Sequence, residues 1–187
     1  MEKHPAVKEI LFTHQQIIER TKALALEISK YYQANDSTII LLGILKGCIP
    51  FLAEFISHLT IECEIDFMAI ASFHGGTEAS STPQIIMDIN QDITNRDILI
   101  IEDIIESGAS LLTIKEYLFL KGAKTVKMVT LLDKTKGRKV ELNADWTGFK
   151  APQEFLIGYG LDYQEKLRNL PYVAIADMGK IALLEKQ

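Results

Sequence analysis

The sequence predicts an α/β fold built on a parallel sheet flanked by helices, and three features carry that prediction. Short apolar runs rich in β-branched residues recur along the chain, at 37–45, 97–102 and 125–132. Segments with helical spacing lie between them, at 51–59 and 111–121. Such alternation implies parallel strands joined by right-handed helical crossovers. Finally, no repeat, low-complexity tract or linker rich in Gly, Ser or Pro divides the 187 residues. That length suits one well-cored domain spanning 1–187.

The elements follow in order. Thr13 with Gln16 fits a capping box, opening a helix whose apolar face is Ile17, Ile18, Leu24, Leu26 and Ile28. Ser37 to Leu45 reads as a buried strand, being short, β-branched and bounded by polar residues. Pro50 suits the start of the next helix, Phe51 to Leu59. Ile61, Cys63, Ile65 and Phe67 alternate with Glu62, Glu64 and Asp66, the period-2 pattern of a strand with one wet face. Phe73 to Pro83 is small and polar, with Gly75-Gly76 and Ser80-Ser81-Thr82, and predicts an exposed mobile loop. Asp97 to Glu102 is a second buried strand, and Leu111 to Lys121 a helix stopped by Gly122. Thr125 to Leu132 is a third core strand and Val173 to Ala176 a fourth. Phe155 to Tyr159 is a short apolar strand in a tail that abandons the alternation, and that tail is expected to cap the sheet.

Bulk properties narrow the function. Hydrophobic residues at 48% and charged residues at 24% fit a globular chain. The longest apolar run, Ile39 to Leu45, falls far short of the ~18 residues of a membrane span. The N-terminus leads into no apolar secretory segment, so no membrane is expected. Two cysteines, Cys48 and Cys63, form neither a disulfide framework nor a metal spacing, which makes a reduced, cytoplasmic setting the expectation. The scattered histidines (His4, His14, His58, His74) read as surface residues. A net charge of −5 argues against nucleic acid, whose phosphates call for a positive field. Small phosphorylated ligands stay open, because local amides and a few cations suffice to hold them.

The most informative stretch is Ile98 to Ser110. A strand ends in two adjacent carboxylates, Glu102 and Asp103, followed by Glu106 and the small-residue turn Ser107-Gly108-Ala109-Ser110 that opens a helix. Amides at a helix start face outward at the positive end of its dipole, where a phosphate dianion binds. Strand-end carboxylates can accept hydrogen bonds from vicinal ribose hydroxyls, and ligands of open parallel sheets bind at that edge. A plainer reading makes Ser110 an N-cap and Glu106 a dipole partner, contributing a few tenths to ~1 kcal/mol. It leaves Glu102 and Asp103 unexplained, since like charges side by side repel.

This stretch resembles the phosphoribosyl pyrophosphate-binding motif of the type I phosphoribosyltransferases. The rest of the chain resembles the hypoxanthine-guanine branch of that family over nearly its whole length. The likeness runs through Leu45-Lys46-Gly47, Ser72-Phe73, Leu132-Asp133-Lys134-Thr135, Phe155 to Tyr163, and Leu167-Arg168-Asn169-Leu170. The first motif points only to the superfamily; Lys134, the 155–163 block and Arg168, in that order, point to 6-oxopurine enzymes. The resemblance implies a Rossmann-like core, roughly 35–135 plus 172–178, under a small hood made from roughly 1–12 and 150–170. It implies purine salvage, in which the 5-phosphoribosyl group passes from phosphoribosyl pyrophosphate to hypoxanthine or guanine with Mg2+ as cofactor. It also implies a homodimer or homotetramer.

Residue roles follow from the same resemblance. Glu102 and Asp103 would bind the ribose hydroxyls, and Ser107, Gly108, Ala109 and Ser110 the 5′-phosphate. Lys46 and Gly47 would meet the pyrophosphate through a backbone turn containing a non-proline cis peptide. Lys134 would donate to the 6-oxo group of the purine and disfavour adenine, whose amino group is itself a donor. Phe155 would stack on the base and the Leu156 backbone would read its edge. Asp162 would border the purine and, with Glu102 and Asp103, supply carboxylates for magnesium. Arg168 would contact the leaving pyrophosphate, and the loop from Ser72 and Phe73 would close over the site. Taken singly, Lys46, Asp162 and Arg168 read as surface residues and Phe155 as a core aromatic.

Glu106 would take or share the proton at purine N7, a place where the family usually has aspartate. The acidities are close, ~4.3 against ~3.9, so the longer reach is the real difference. Phe73 stands where a tyrosine is usual, and Ala109 lies in the phosphate turn. A xanthine-preferring enzyme and a non-catalytic nucleotide-sensing regulator remain the alternatives. No Gly-x-x-x-x-Gly-Lys-Ser/Thr sequence supports a nucleoside-triphosphate hydrolase.

Overall fold

The structure, a computed structural model, describes residues 3–34, 38–71 and 84–184. Ser72, Phe73 and the rest of the segment read as a mobile loop lie outside the described residues. The chain opens with a strand that the sequence reading passed over, β1 (Val7–Phe12), followed by α1 (His14–Gln33). Thr13 caps α1: its hydroxyl accepts from Gln16 N at 3.4 Å, while the Gln16 side chain accepts from Thr13 N at 2.9 Å. Ile17, Leu24 and Ile28 are buried, whereas Leu26, two residues and about 200° on from Leu24, is exposed.

Then come β2 (Ile39–Leu45), α2 (Ile49–His58), β3 (Cys63–Ala71), β4 (Gln84–Met87), β5 (Asp97–Ile105) and α3 (Ala109–Leu120). They are followed by β6 (Thr125–Asp133), a 3-10 turn (Thr135–Gly137), β7 (Trp146–Lys150), β8 (Leu156–Ile157), β9 (Val173–Ala176) and α4 (Met178–Leu184). Six strands form the main sheet in the order β4-β3-β2-β5-β6-β7, all parallel except the antiparallel edge strand β4. None of the helices among the described residues is long and apolar enough to cross a membrane.

Three expectations are corrected. Val173 to Ala176, placed with the core strands, is instead the centre of a separate three-stranded antiparallel sheet, β1-β9-β8. Four buried apolar residues carry no period that distinguishes one sheet from another. The core, expected over roughly 35–135, extends to β7, the last strand of the main sheet. On β3 the faces are mixed: Asp66 is buried and Ile65 is 39% exposed. The Asp66 carboxylate accepts from the amides of Phe67, Asn90 and Gln91 at 2.8, 2.8 and 3.1 Å, which offsets its burial.

Alternation along the strands divides the core into two layers. Ile39, Leu41, Leu99, Ile101 and Val129 pack with α1 and α2, while Ile40, Leu42, Ile98, Ile100 and Met128 pack with Leu111, Ile114 and Leu118 of α3. The small sheet shares the first layer, contributing Leu156, Val173 and Ile175 together with Tyr159 and Leu161 of the following turn. This hood is therefore anchored in the main core. The chain leaves β2 toward β3 and β4, then returns to place β5 on the other side of β2. A crevice opens at the carboxyl ends of strands where the order reverses in this way.

Candidate active site

Lys46 and Gly47 follow β2, and Glu102 to Ser110 run from the end of β5 into α3, both beside that crevice. At the end of β2 the Leu45–Lys46 peptide is cis. Gly47 has no room for a side chain: a Cβ there would lie 1.7 Å from Oδ2 of Asp103. Gly160 of the hood, with φ +99°, approaches from the other side, where a Cβ would lie 1.9 Å from the Gly47 carbonyl oxygen. The hood thus meets the β2 turn backbone to backbone, and that turn in turn lies against the Asp103 carboxylate.

That carboxylate stands at the end of β5 beside Glu102. Asp103 is buried and its Oδ1 accepts from Ile104 N at 2.8 Å. Oε2 of Glu102 is buried with no hydrogen-bond partner among the described residues. Burial pushes the Glu102 carboxyl well above the usual range, and the neighbouring Asp103 charge adds to this. Asp103 is also raised by burial, against the counter-pull of its hydrogen bonds and of Arg168. Two desolvated acids with an oxygen to spare form a donor set that a hard cation such as Mg2+ favours. Cys48 is near both acids, and burial pushes its thiol up to about 12, which removes it as a nucleophile.

The third carboxylate expected with the metal is engaged elsewhere. Asp162 Oδ1 is 2.9 Å from Nη1 of Arg168, and its Oδ2 accepts from Glu165 N at 2.8 Å. Among the described residues no group of three or more His, Cys, Asp or Glu side chains is placed to hold a metal. Glu102, Asp103 and Asp162 therefore do not form one protein cage. Magnesium seldom needs one, since it binds through one or two carboxylates, waters and substrate phosphates.

Beyond the acids the chain turns into α3. Its N-cap is Gly108 at φ 78°, ψ −9°, so Ser110 is a first-turn residue and not the cap. A left-handed residue is needed to swing the chain from strand to helix, and glycine adopts that conformation without strain. No cap side chain bonds the helix start, although Ser107 Oγ accepts at 3.4 Å from Ala109 N. A cavity of about 260 Å³ lies here, lined in part by Glu102, Ile104, Glu106, Ser107 and Ser110. Amides converging at a helix start beside such a cavity suit a phosphate.

Lys134 follows β6 and is buried, with its amide donating to Ile105 O at 2.9 Å. Its ammonium is 3.5 Å from Oε2 of Glu106, a carboxylate whose side chain is 55% exposed. The longer reach of Glu106 is accommodated by Gly137, since a Cβ at 137 would lie 2.8 Å from Glu106 Cγ. Asp133 was quoted within a motif but given no role. It is buried and paired with both Arg138 and Lys150, which fixes the backbone from which Lys134 springs. Phe155 is not a core aromatic: it is 45% exposed and stands edge-on to Tyr163, 6.0 Å between ring centres. Leu156 is buried and paired with Ile175. A cavity of about 650 Å³ is lined by Thr135, Lys136 and the 151–154 segment, beside both Lys134 and Phe155 in the chain.

Arg168 closes the hood tip. Its Nη1 donates to Gly160 O at 2.7 Å, and its Nη2 lies 3.3 Å from Glu165. Glu165 also meets Lys46 at 2.9 Å, and these two cations hold its carboxyl below the usual range. No sequence signal marked Glu165, which is 119 residues from Lys46.

The chain is similar in sequence and fold to known proteins. Residues 7–164 match the model of the phosphoribosyl transferase domain. A hypoxanthine-guanine phosphoribosyltransferase from Lactococcus lactis is 46% identical over 91% of this chain and 91% of its own length. One from Streptococcus pneumoniae is 45% identical over 90% of this chain and 93% of its own. The crystal structure of a hypoxanthine phosphoribosyltransferase from Staphylococcus aureus superposes with a TM-score of 0.86 at 42% identity, covering 91% of this chain and 92% of that one. On these matches, which span most of its length, the chain belongs to the hypoxanthine-guanine branch of the phosphoribosyltransferase family.

Proposed function

We propose that this chain transfers the 5-phosphoribosyl group from phosphoribosyl pyrophosphate to hypoxanthine, guanine or both, giving IMP or GMP and pyrophosphate. The observation that carries the reading is a buried Lys134 within 3.5 Å of Glu106, on a chain that also sets half-buried Glu102 and buried Asp103 near the end of β5, ahead of an uncapped helix start. A cationic donor, a proton acceptor, a hydroxyl-binding pair and a phosphate cradle are what the reaction requires.

The purine ring nitrogen attacks the anomeric carbon as the bond to the pyrophosphate oxygen breaks. Positive charge builds on the ribose, and negative charge on the departing group. Glu102 and Asp103 hold the ribose hydroxyls, while the 107–110 amides fix the 5′-phosphate, so the anomeric carbon is presented in one orientation. Lys134 donates to the 6-oxo group, which orients the base and rejects adenine. Glu106 takes the proton at N7, 3.5 Å from the Lys134 ammonium that orients the base. Phe155 gives the base an aromatic face, a contact contributing ~1–3 kcal/mol for nucleobases, and the Leu156 backbone reads its edge. Lys46, Gly47 and Arg168 receive the pyrophosphate. Glu102, Asp103 and Asp162 would hold magnesium, which would supply positive charge to neutralise the phosphates. The fold resemblance further supports a cytoplasmic homodimer or homotetramer.

The test is pyrophosphate release from phosphoribosyl pyrophosphate and magnesium, with hypoxanthine, guanine, xanthine and adenine supplied separately. Turnover with hypoxanthine or guanine and none with adenine is expected. Folded protein inert toward every base would overturn the reading, and a preference for xanthine would reassign the substrate.

A further inference from the structure

We propose that Glu165 is an internal counter-anion that occupies the pyrophosphate-binding cations and must be displaced when pyrophosphate binds. The inference rests on the function proposed above and adds a residue to it. Both cations assigned to the leaving group end on this one carboxylate: Oε2 lies 2.9 Å from Lys46 Nζ, and Oε1 lies 3.3 Å from Arg168 Nη2. Each oxygen serves a different cation, so the carboxylate bridges the β2 turn and the hood tip much as an oxyanion of pyrophosphate would.

Stability does not account for the bridge. The side chains of Lys46 and Glu165 are 63% and 64% exposed, and such pairs contribute little to folding. The backbone beneath is fixed nonetheless. Gln164 and Glu165 are left-handed, at φ 48° and 65°, inside a turn closed by reciprocal 3.0 Å bonds between Tyr163 and Lys166. Glu165 N is tied to Asp162 at 2.8 Å. A rigid Cα with a free side chain lets the carboxylate swing out while its position is retained. The two cations respond differently. Arg168 keeps Gly160 O and Asp162 when Glu165 leaves, at 2.7 and 2.9 Å, and so remains aimed at the crevice. Lys46 is released to follow the anion. Pyrophosphate, with its higher charge, outcompetes a single carboxylate for both.

Direct titration of the full-length protein with magnesium pyrophosphate tests this. Glu165→Gln is expected to tighten binding and to lower KM for phosphoribosyl pyrophosphate, each by about two- to fivefold, the scale of an exposed ion pair. KM for the base should stay unchanged. Glu165→Asp keeps the charge but is too short to bridge both cations, and should tighten binding less. Unchanged or weaker binding in Glu165→Gln, with wild-type protein that binds and turns over, overturns the counter-anion role alone. Wild-type protein that neither binds pyrophosphate nor turns over any base removes the functional reading beneath it as well.

Discussion

The rim of the main sheet and the tip of the hood face the same crevice but are held there by different forces. On the rim, position comes from strand register and exclusion. Gly47 follows the end of β2, Glu102 and Asp103 lie near the end of its parallel neighbour β5, and Gly47 is pressed against Asp103 with no space for a methyl group. At the tip, position comes from side-chain charge: Arg168 is tied to Asp162 and Glu165, both at least partly exposed. Register cannot be altered without moving the core, whereas ion pairs can be exchanged for a ligand. Under the proposed function, the rim suits the groups that must not move during reaction, and the tip suits those that would receive and release the leaving anion.

The comparison can be broken most directly at Gly47. Gly47→Ala places a methyl on the Asp103 carboxylate, so the turn must shift by an ångström or more. A loss of ~100-fold or greater in kcat/KM is expected, with ~1–3 kcal/mol lost in urea unfolding from overpacking. Near-normal activity would show that the rim is softer than its packing implies. Lys134→Ala removes a buried donor from the same rim. It should cut kcat/KM for the 6-oxopurine by ~100-fold while KM for phosphoribosyl pyrophosphate changes little, and equal losses for both substrates would refute the base contact.

At the tip the effects should be smaller and confined to binding. Arg168→Lys keeps charge but loses the forked geometry. It should raise KM for phosphoribosyl pyrophosphate by ~10-fold, the scale of one charged hydrogen bond, with thermal stability unchanged. A marked drop in melting temperature would mean that the hood depends on this residue to fold. Glu106→Asp should matter least, retaining or raising turnover. Gly137 makes room for the extra methylene, so a hundredfold fall would show that the site is built around the longer side chain.

Legibility from sequence followed the same division. β2, β5 and β6 were readable because each is an apolar run within one stretch of chain, and Glu102 to Ser110 because acids, turn and helix start are contiguous. β7 was missed because Trp-Thr-Gly-Phe-Lys has neither an apolar run nor a clean period. β9 was assigned to the wrong sheet because its four residues are buried on both faces. The inward turn of Asp66 depends on amides about two dozen residues away, at Asn90 and Gln91. The Lys46–Glu165 contact could not be read at all, since nothing local in either stretch specifies the other.

The contact of Gly160 with Gly47 bears on how such a molecule can be rebuilt. A hood transplanted from another chain would seat on this core only if it brought a glycine to position 160, because the Gly47 carbonyl fills the place of any larger residue. Gly158 is a second such point within the hood, where a Cβ would lie 2.1 Å from the Tyr172 carbonyl oxygen. The near-zero clearance of Gly160 against Gly47, added to the shared core layer, fixes the seating of the hood on the sheet.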